Sequence, residues 1–329
     1  ARALALPHNS NASKGLMFPE KASDGSPLDE EYATRRAEFE RAIEIMQVKG
    51  NSEVHAKFWA ADEFADFENA PSMAEFSGRV PEKRNFVRNG LVRGLAVESK
   101  LGINPFKLGL FGGTDSHNGL MGDTDEDNWP GGHGLEDATP EYRQKSEVGG
   151  WLAARDQSPG SLAGVWATSN TREAIWDAIY NREVFATSGS RITVRLFGSW
   201  TYPPDLHTRP DRVEIGYREG VPMGADLGPA KGGKAPRFLV AASKDALGAN
   251  LDRVQIIKGW LDADGTLRDR VFDASWSGDR EVGADGRLPS VGTTVDLETA
   301  TYRNTIGAPQ LATVWEDPEF DPAVPALYY

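Results

Sequence analysis

Three short apolar runs, each broken off by a polar loop, constrain this chain more than any other feature. Residues 3–6 stop at Pro7 and pass into His8-Asn9-Ser10-Asn11. Residues 42–48 are too apolar for one helix face and end at Lys49-Gly50-Asn51-Ser52-Glu53. Residues 108–111 run into Gly112-Gly113-Thr114-Asp115-Ser116-His117-Asn118. Apolar runs of this length bounded by turn residues read as buried strands. In α/β folds the polar loops at strand ends carry the working groups. Between the runs, 28–41 and 82–102 read as helices, the second with Phe86, Leu91, Leu95 and Val97 on its apolar side and Gly102 as its stop. Residues 119–165 read as one long loop. Asn170 with Glu173 reads as a capping box opening a helix over 172–181.

Near residue 190 the period changes from helical to alternating. Ile192, Val194 and Leu196 alternate with polar residues. Val213 with Ile215, Phe238 with Val240, and Val254 with Ile256 do the same, as half-buried strands do. Asp264-Gly265 and Asp285-Gly286 are turn signals. A chain of 329 residues is long enough for two domains. We therefore expect an α/β domain over 1–190 and an all-β, sandwich-like domain over 191–329.

Charge and composition remove several function classes. A net charge of −13 argues against a nucleic-acid partner, which needs a basic face. The absence of cysteine excludes disulfides, thiolate nucleophiles and iron–sulfur clusters. No apolar run reaches 18 residues, so no membrane-spanning helix is expected. The start at Ala1, in an apolar run and without Met, is the expectation for a processed or truncated piece whose targeting signal lies elsewhere.

Chemistry then rests on few residues. The five histidines are His8, His55, His117, His133 and His207. In a strand Asp115 and His117 share one face, and a carboxylate with an imidazole suits Zn, Mn or Fe. His55 follows Glu53 by two positions and can share its face as a ligand or acid/base group. His133, between two glycines, reads first as an exposed loop residue and second as a lid residue near the site, and His207 reads as a surface one. Asp123-Thr124-Asp125-Glu126-Asp127-Asn128 opens like an EF-hand loop but lacks its Gly and final Glu, and reads as an acidic loop. No G-x-S-x-G elbow and no phosphate-binding glycine loop occurs.

Residues 7–11, 47–53 and 113–118, with Thr171–Trp176 and Ala186–Arg191, together resemble the DUF3604 family. Residues 302–311 resemble its C-terminal region. The resemblance implies a branch of the PHP (polymerase and histidinol phosphatase) superfamily. It implies a distorted (β/α)7 barrel with two or three divalent metals (Mn, Zn or Fe) at the strand ends, followed by the β-rich domain packed on it. His8 resembles the metal-binding histidine of the family's proline–histidine strand exit. Asp115 and His117 resemble its terminal metal pair. Glu53 is placed ahead of mid-strand Glu44 as bridging ligand or base, because a buried carboxylate must be paired. Lys49 and Arg191 are the expected anion contacts. The H-x-H motif of PHP proteins is absent, so the N-terminal part of the barrel is expected in cis or as a separate fragment.

The expected function is hydrolysis of a phosphate ester on a small anionic substrate by a metal-bound hydroxide. Hydrolysis of a sulfate or other ester is the alternative, as is a non-catalytic binding protein with a degenerate metal site. The family's usual exported character and the absence of cysteine imply a periplasmic or secreted location.

Overall fold

The computed structural model describes residues 3–125, 128–230, 232–284 and 286–329. Ala1, Glu126 and Asp127 of the acidic run, and Asp285 of the second Asp-Gly turn lie outside the described residues. The chain divides into two compact units: Ala1–Ser190 with Gly259–Arg268, and Arg191–Lys258 with Asp269–Tyr329.

The first unit is a mixed α/β structure. Helix α1 (Glu30–Phe39) starts where Asp29 accepts the Tyr32 N–H, and it delivers the chain directly into strand β1 (Ala42–Gln47). β1 turns back through Val48 and Lys49 onto β2 (Gly50–Asn51), pairing Gln47 with Gly50. Gly50 sits at φ 99°, where a Cβ would stand 2.6 Å from the Glu68 carbonyl oxygen, so glycine is required. A short helix, α2 (Met73–Ser77), precedes α3 (Val87–Leu101), which Gly102 ends at φ 75°. Strand β3 (Gly109–Gly112) lies parallel to β1, pairing Ala42 with Gly109 and Glu44 with Phe111. The register shifts between Glu44 and Met46, a bulge at the strand's exit.

The expected long loop over 119–165 contains regular elements. They are helix α4 (Pro140–Lys145), the hairpin β4 (Glu147–Val148) and β5 (Leu152–Ala153), and β6 (Ala163–Val165). β6 pairs antiparallel with β7 (Val184–Ala186), after helix α5 (Arg172–Tyr180). α5 is capped by Thr171, which accepts the Ala174 N–H, and not by Asn170. Residues 3–6 form no strand, although the Ala5 N–H donates to Phe39 O and the Glu44 N–H to Pro7 O. Among the described residues the strands form several small sheets and no closed barrel. No helix among them is long and apolar enough to cross a membrane.

The second unit is built on a four-stranded sheet. β8 (Thr193–Ser199), β9 (Val221–Pro222), β10 (Arg237–Ser243) and β13 (Gln310–Glu316) lie in the order β13-β10-β8-β9. β11 (Arg253–Leu261), β12 (Leu267–Trp276) and β14 (Ala326–Tyr328) form a three-stranded sheet in the order β12-β11-β14. Central β10 is buried on both faces, as the period of two requires. Phe238, Val240 and Ala242 pack with Val254 and Ile256 of β11. Leu239 packs with Phe197, Tyr202, Leu206 and Ile215. Ile215 belongs to helix α6 (Arg212–Glu219), so this region is not all-β. Val213 and Ile215, two positions apart, mimic a strand because so short a helix shows only a fragment of its 3.6-residue period.

Candidate functional site

Lys49 occupies the tip of the β1–β2 hairpin, and its side chain is nearly buried at 6% exposure. Its ammonium donates to Asp115 Oδ2 in a close ion pair. Asp115 follows β3 and has a left-handed backbone at φ 53°, so strand alternation ends before His117. The loop is fixed by backbone bonds: Val48 N–H to Thr114 O at 3.1 Å, Gly113 N–H to Met46 O at 3.2 Å and His117 N–H to Gly132 O at 2.6 Å. Burial alone would raise the Asp115 carboxyl. The hydrogen bond and charge of Lys49, with Gln47 and His117, outweigh it and hold Asp115 below the usual carboxylate range.

Glu44 enters from the same end of β1. It is 6% exposed, and its Oε1 accepts the Asn9 N–H at 3.3 Å. Burial, then the negative charge of Asp115, push its carboxyl up from 4.5 to about 7, against the Asn9 hydrogen bond, Gln47 and Lys49. A Cβ on Gly113 would stand 2.9 Å from Glu44 Oε2, so glycine makes room for this carboxylate. Gln47 Oε1 accepts the Lys49 N–H at 2.8 Å. Its amide lies close enough to Glu44 and Asp115 to lower both, yet Nε2 is buried with no hydrogen bond of good geometry.

His133 joins this group, against its first reading as an exposed loop residue. Its ring stacks on His117 with centroids 4.7 Å apart and planes 17° apart. Fully buried Asp137 shapes the loop by accepting the Gly132 N–H at 2.6 Å and the His133 N–H at 2.8 Å. Nδ1 of His133 lies 3.3 Å from Gln157 Nε2 and 3.8 Å from Asp137 Oδ2. Burial, then the charges of Lys49 and His117, lower its pKa. The missed signal was the acidic residue four positions on, which can close such a loop.

The remaining predicted residues fall in different places. His8 is exposed and sits between two contacts to Glu44, through Pro7 O and the Asn9 N–H. Glu53 does not join Asp115: its carboxylate and that of Asp62 clamp buried Arg88, each at 2.8 Å. His55 lies among aromatic rings, 5.5 Å from Phe86 and 6.0 Å from Phe58. Arg191 belongs to the second unit, where its N–H donates to Asp245 Oδ2 at 2.7 Å.

By type, these donors fit a divalent cation: Glu44, Asp115, His117 and His133 are hard and borderline ligands. Buried polar atoms without partners, Asn9 Oδ1, Gln47 Nε2 and Gln157 Oε1, flank them and suit a polar ligand or its waters. The set is short, however. Among the described residues no three His, Asp or Glu side chains converge as a metal-holding group.

A family model described as "Protein of unknown function (DUF3604)" matches residues 1–329. No curated protein and no solved structure matches.

Proposed function

The chain belongs to the DUF3604 family, and from that membership and the chemistry of the strand-end cluster we propose a metal-dependent hydrolase of phosphate esters. The observation that carries the reading is the pair of buried Lys49 with half-buried Asp115, beside Glu44 and the stacked His117 and His133, at the carboxyl ends of parallel β1 and β3. That is where open α/β sheets bind ligands. The same placement supports kinship with the PHP superfamily and its barrel.

Asp115 and His117 would be the protein donors to Mn, Zn or Fe, with Glu44 and His133 beside them, and the metal would supply a hydroxide by acidifying bound water. His8, held next to Glu44, and a further segment in cis or in a second fragment would complete a set of two or three ions. Lys49 offsets negative charge developing on the ester oxygens once substrate competes for Asp115. Glu44, whose carboxyl burial raises in the metal-free chain and which a neighbouring cation would ionise, takes the base role expected of Glu53. With Nδ1 of His133 held between Gln157 and Asp137, Nε2 remains for a proton or a ligand. Arg191 is proposed as a second anion contact. A periplasmic or secreted location is part of the same proposal.

The test is metal analysis of the purified protein with a panel of p-nitrophenyl phosphate, bis-p-nitrophenyl phosphate and p-nitrophenyl sulfate. Phosphate-ester hydrolysis that EDTA abolishes, Mn or Zn restores and His117→Ala lowers at least about 100-fold is the expected result. Hydrolysis of the sulfate alone moves the reading to sulfate esters. Neither metal nor turnover overturns catalysis and leaves an anion-binding protein in which Lys49 holds the cation's place.

A further inference from the structure

Trp151 stands at the tip of the β4–β5 hairpin with two cations over its ring. The Arg79 guanidinium carbon lies 4.1 Å from the ring centroid and the Lys49 ammonium 5.8 Å from it. Both distances run to one centroid, so laid end to end they cap the separation of the two cations at about 10 Å.

Neither position is loose. Gly149 and Gly150 have left-handed φ of 53° and 71°, the turn glycine favours, and the Trp151 N–H closes it on Val148 O at 2.8 Å. Arg79 follows Gly78, whose φ of 65° ends α2. The two elements touch through Met73 and Leu152, buried in one cluster with Trp151 at its margin.

The guanidinium lacks the carboxylate that several arginines of this unit reach. Arg36, Arg84, Arg88 and Arg93 each reach a carboxylate. Among the described residues Arg79 makes no hydrogen bond or ion pair, only the contact with Trp151. A guanidinium stacked on an aromatic ring keeps its in-plane N–H donors free, in the fork that grips phosphate, sulfate or carboxylate.

We propose that Arg79, seated on Trp151, is a second anion subsite, and that the substrate is a small ester carrying a second anionic group within about 10 Å of the scissile one. This rests on the phosphate-ester reading, in which Lys49 faces the reacting group.

Calorimetry on the full chain with two non-hydrolysable probes, butylphosphonate and butane-1,4-diphosphonate, tests it. The diphosphonate is expected to bind about tenfold more tightly than the monophosphonate. Arg79→Met, which keeps an apolar stem on Trp151, should erase that ratio and leave monophosphonate affinity unchanged, and Arg79→Lys should restore only part of it. Equal affinities in the wild type, or a ratio unmoved by Arg79→Met, overturn the subsite while the phosphate-ester reading stands. Binding of neither probe overturns both.

Discussion

Replacing Glu44 by Gln tests the electrostatics of the cluster directly. Gln keeps the volume and the Oε1 acceptor for the Asn9 N–H, and it cannot ionise. In the folded chain burial raises the Glu44 carboxyl from 4.5 to about 7. Between those values the folded state holds a proton that the unfolded chain has lost, so stability falls as pH rises through this window. At about 1.4 kcal/mol per pH unit, the ionised form costs the fold about 3 kcal/mol above pH 7 and nothing below pH 4.5. Urea unfolding in EDTA, followed by tryptophan fluorescence, reads the difference between the two proteins, in which other titrating groups cancel. Glu44→Gln is expected to match the wild type at pH 4.5 and to exceed it by about 3 kcal/mol at pH 8. Manganese at pH 8 should stabilise the wild type more than the variant, because a cation favours the ionised carboxylate. Parallel stability profiles from pH 4.5 to 8 would refute the reasoning.

Gly113→Ala places a methyl 2.9 Å from Glu44 Oε2 and should cost about 1–3 kcal/mol in urea unfolding, with most of the loss absent in a Glu44→Ala background. Arg88→Met strands the carboxylates of Glu53 and Asp62 and should cost about 3–5 kcal/mol, whereas Glu53→Gln should leave kcat for phosphate-ester hydrolysis within about twofold. In the second unit, Tyr328→Phe removes the hydroxyl that donates to buried Asp317 at 2.7 Å, and denaturant midpoints should report a loss of about 1–3 kcal/mol.

What could be read from the residues follows the range of the forces involved. Helices α1 and α3, strand β1 and the exit at Asp115 declare themselves locally, through caps, apolar runs and glycines. Glu44 did not. In isolation a mid-strand carboxylate is only a desolvation cost, and nothing nearby in sequence reveals that the Asn9 N–H and the Gly113 gap receive it. Glu53 looked better placed because its partner Arg88 is 35 residues away. His133 ranked first as an exposed loop residue, with a place near the site second, for the same reason: only the folded loop shows Asp137 closing on it and His117 stacking against it. The two-residue spacing of Val213 and Ile215 misled because a helix of eight residues offers too few apolar positions to display its period.

The parallel pairing of β1 with β3 has a consequence for assembly. Ala42 meets Gly109 only after the intervening chain, with α2 and α3, has been gathered in. Until then Lys49 has no Asp115, and Glu44 is an ordinary solvated acid. Closing a loop of that length is slow compared with forming either helix. The cluster therefore exists only in chains that have closed the 66-residue separation of Lys49 and Asp115. A ligand that binds it can act only on that population, and so stabilises the completed first unit without rescuing its partly folded forms.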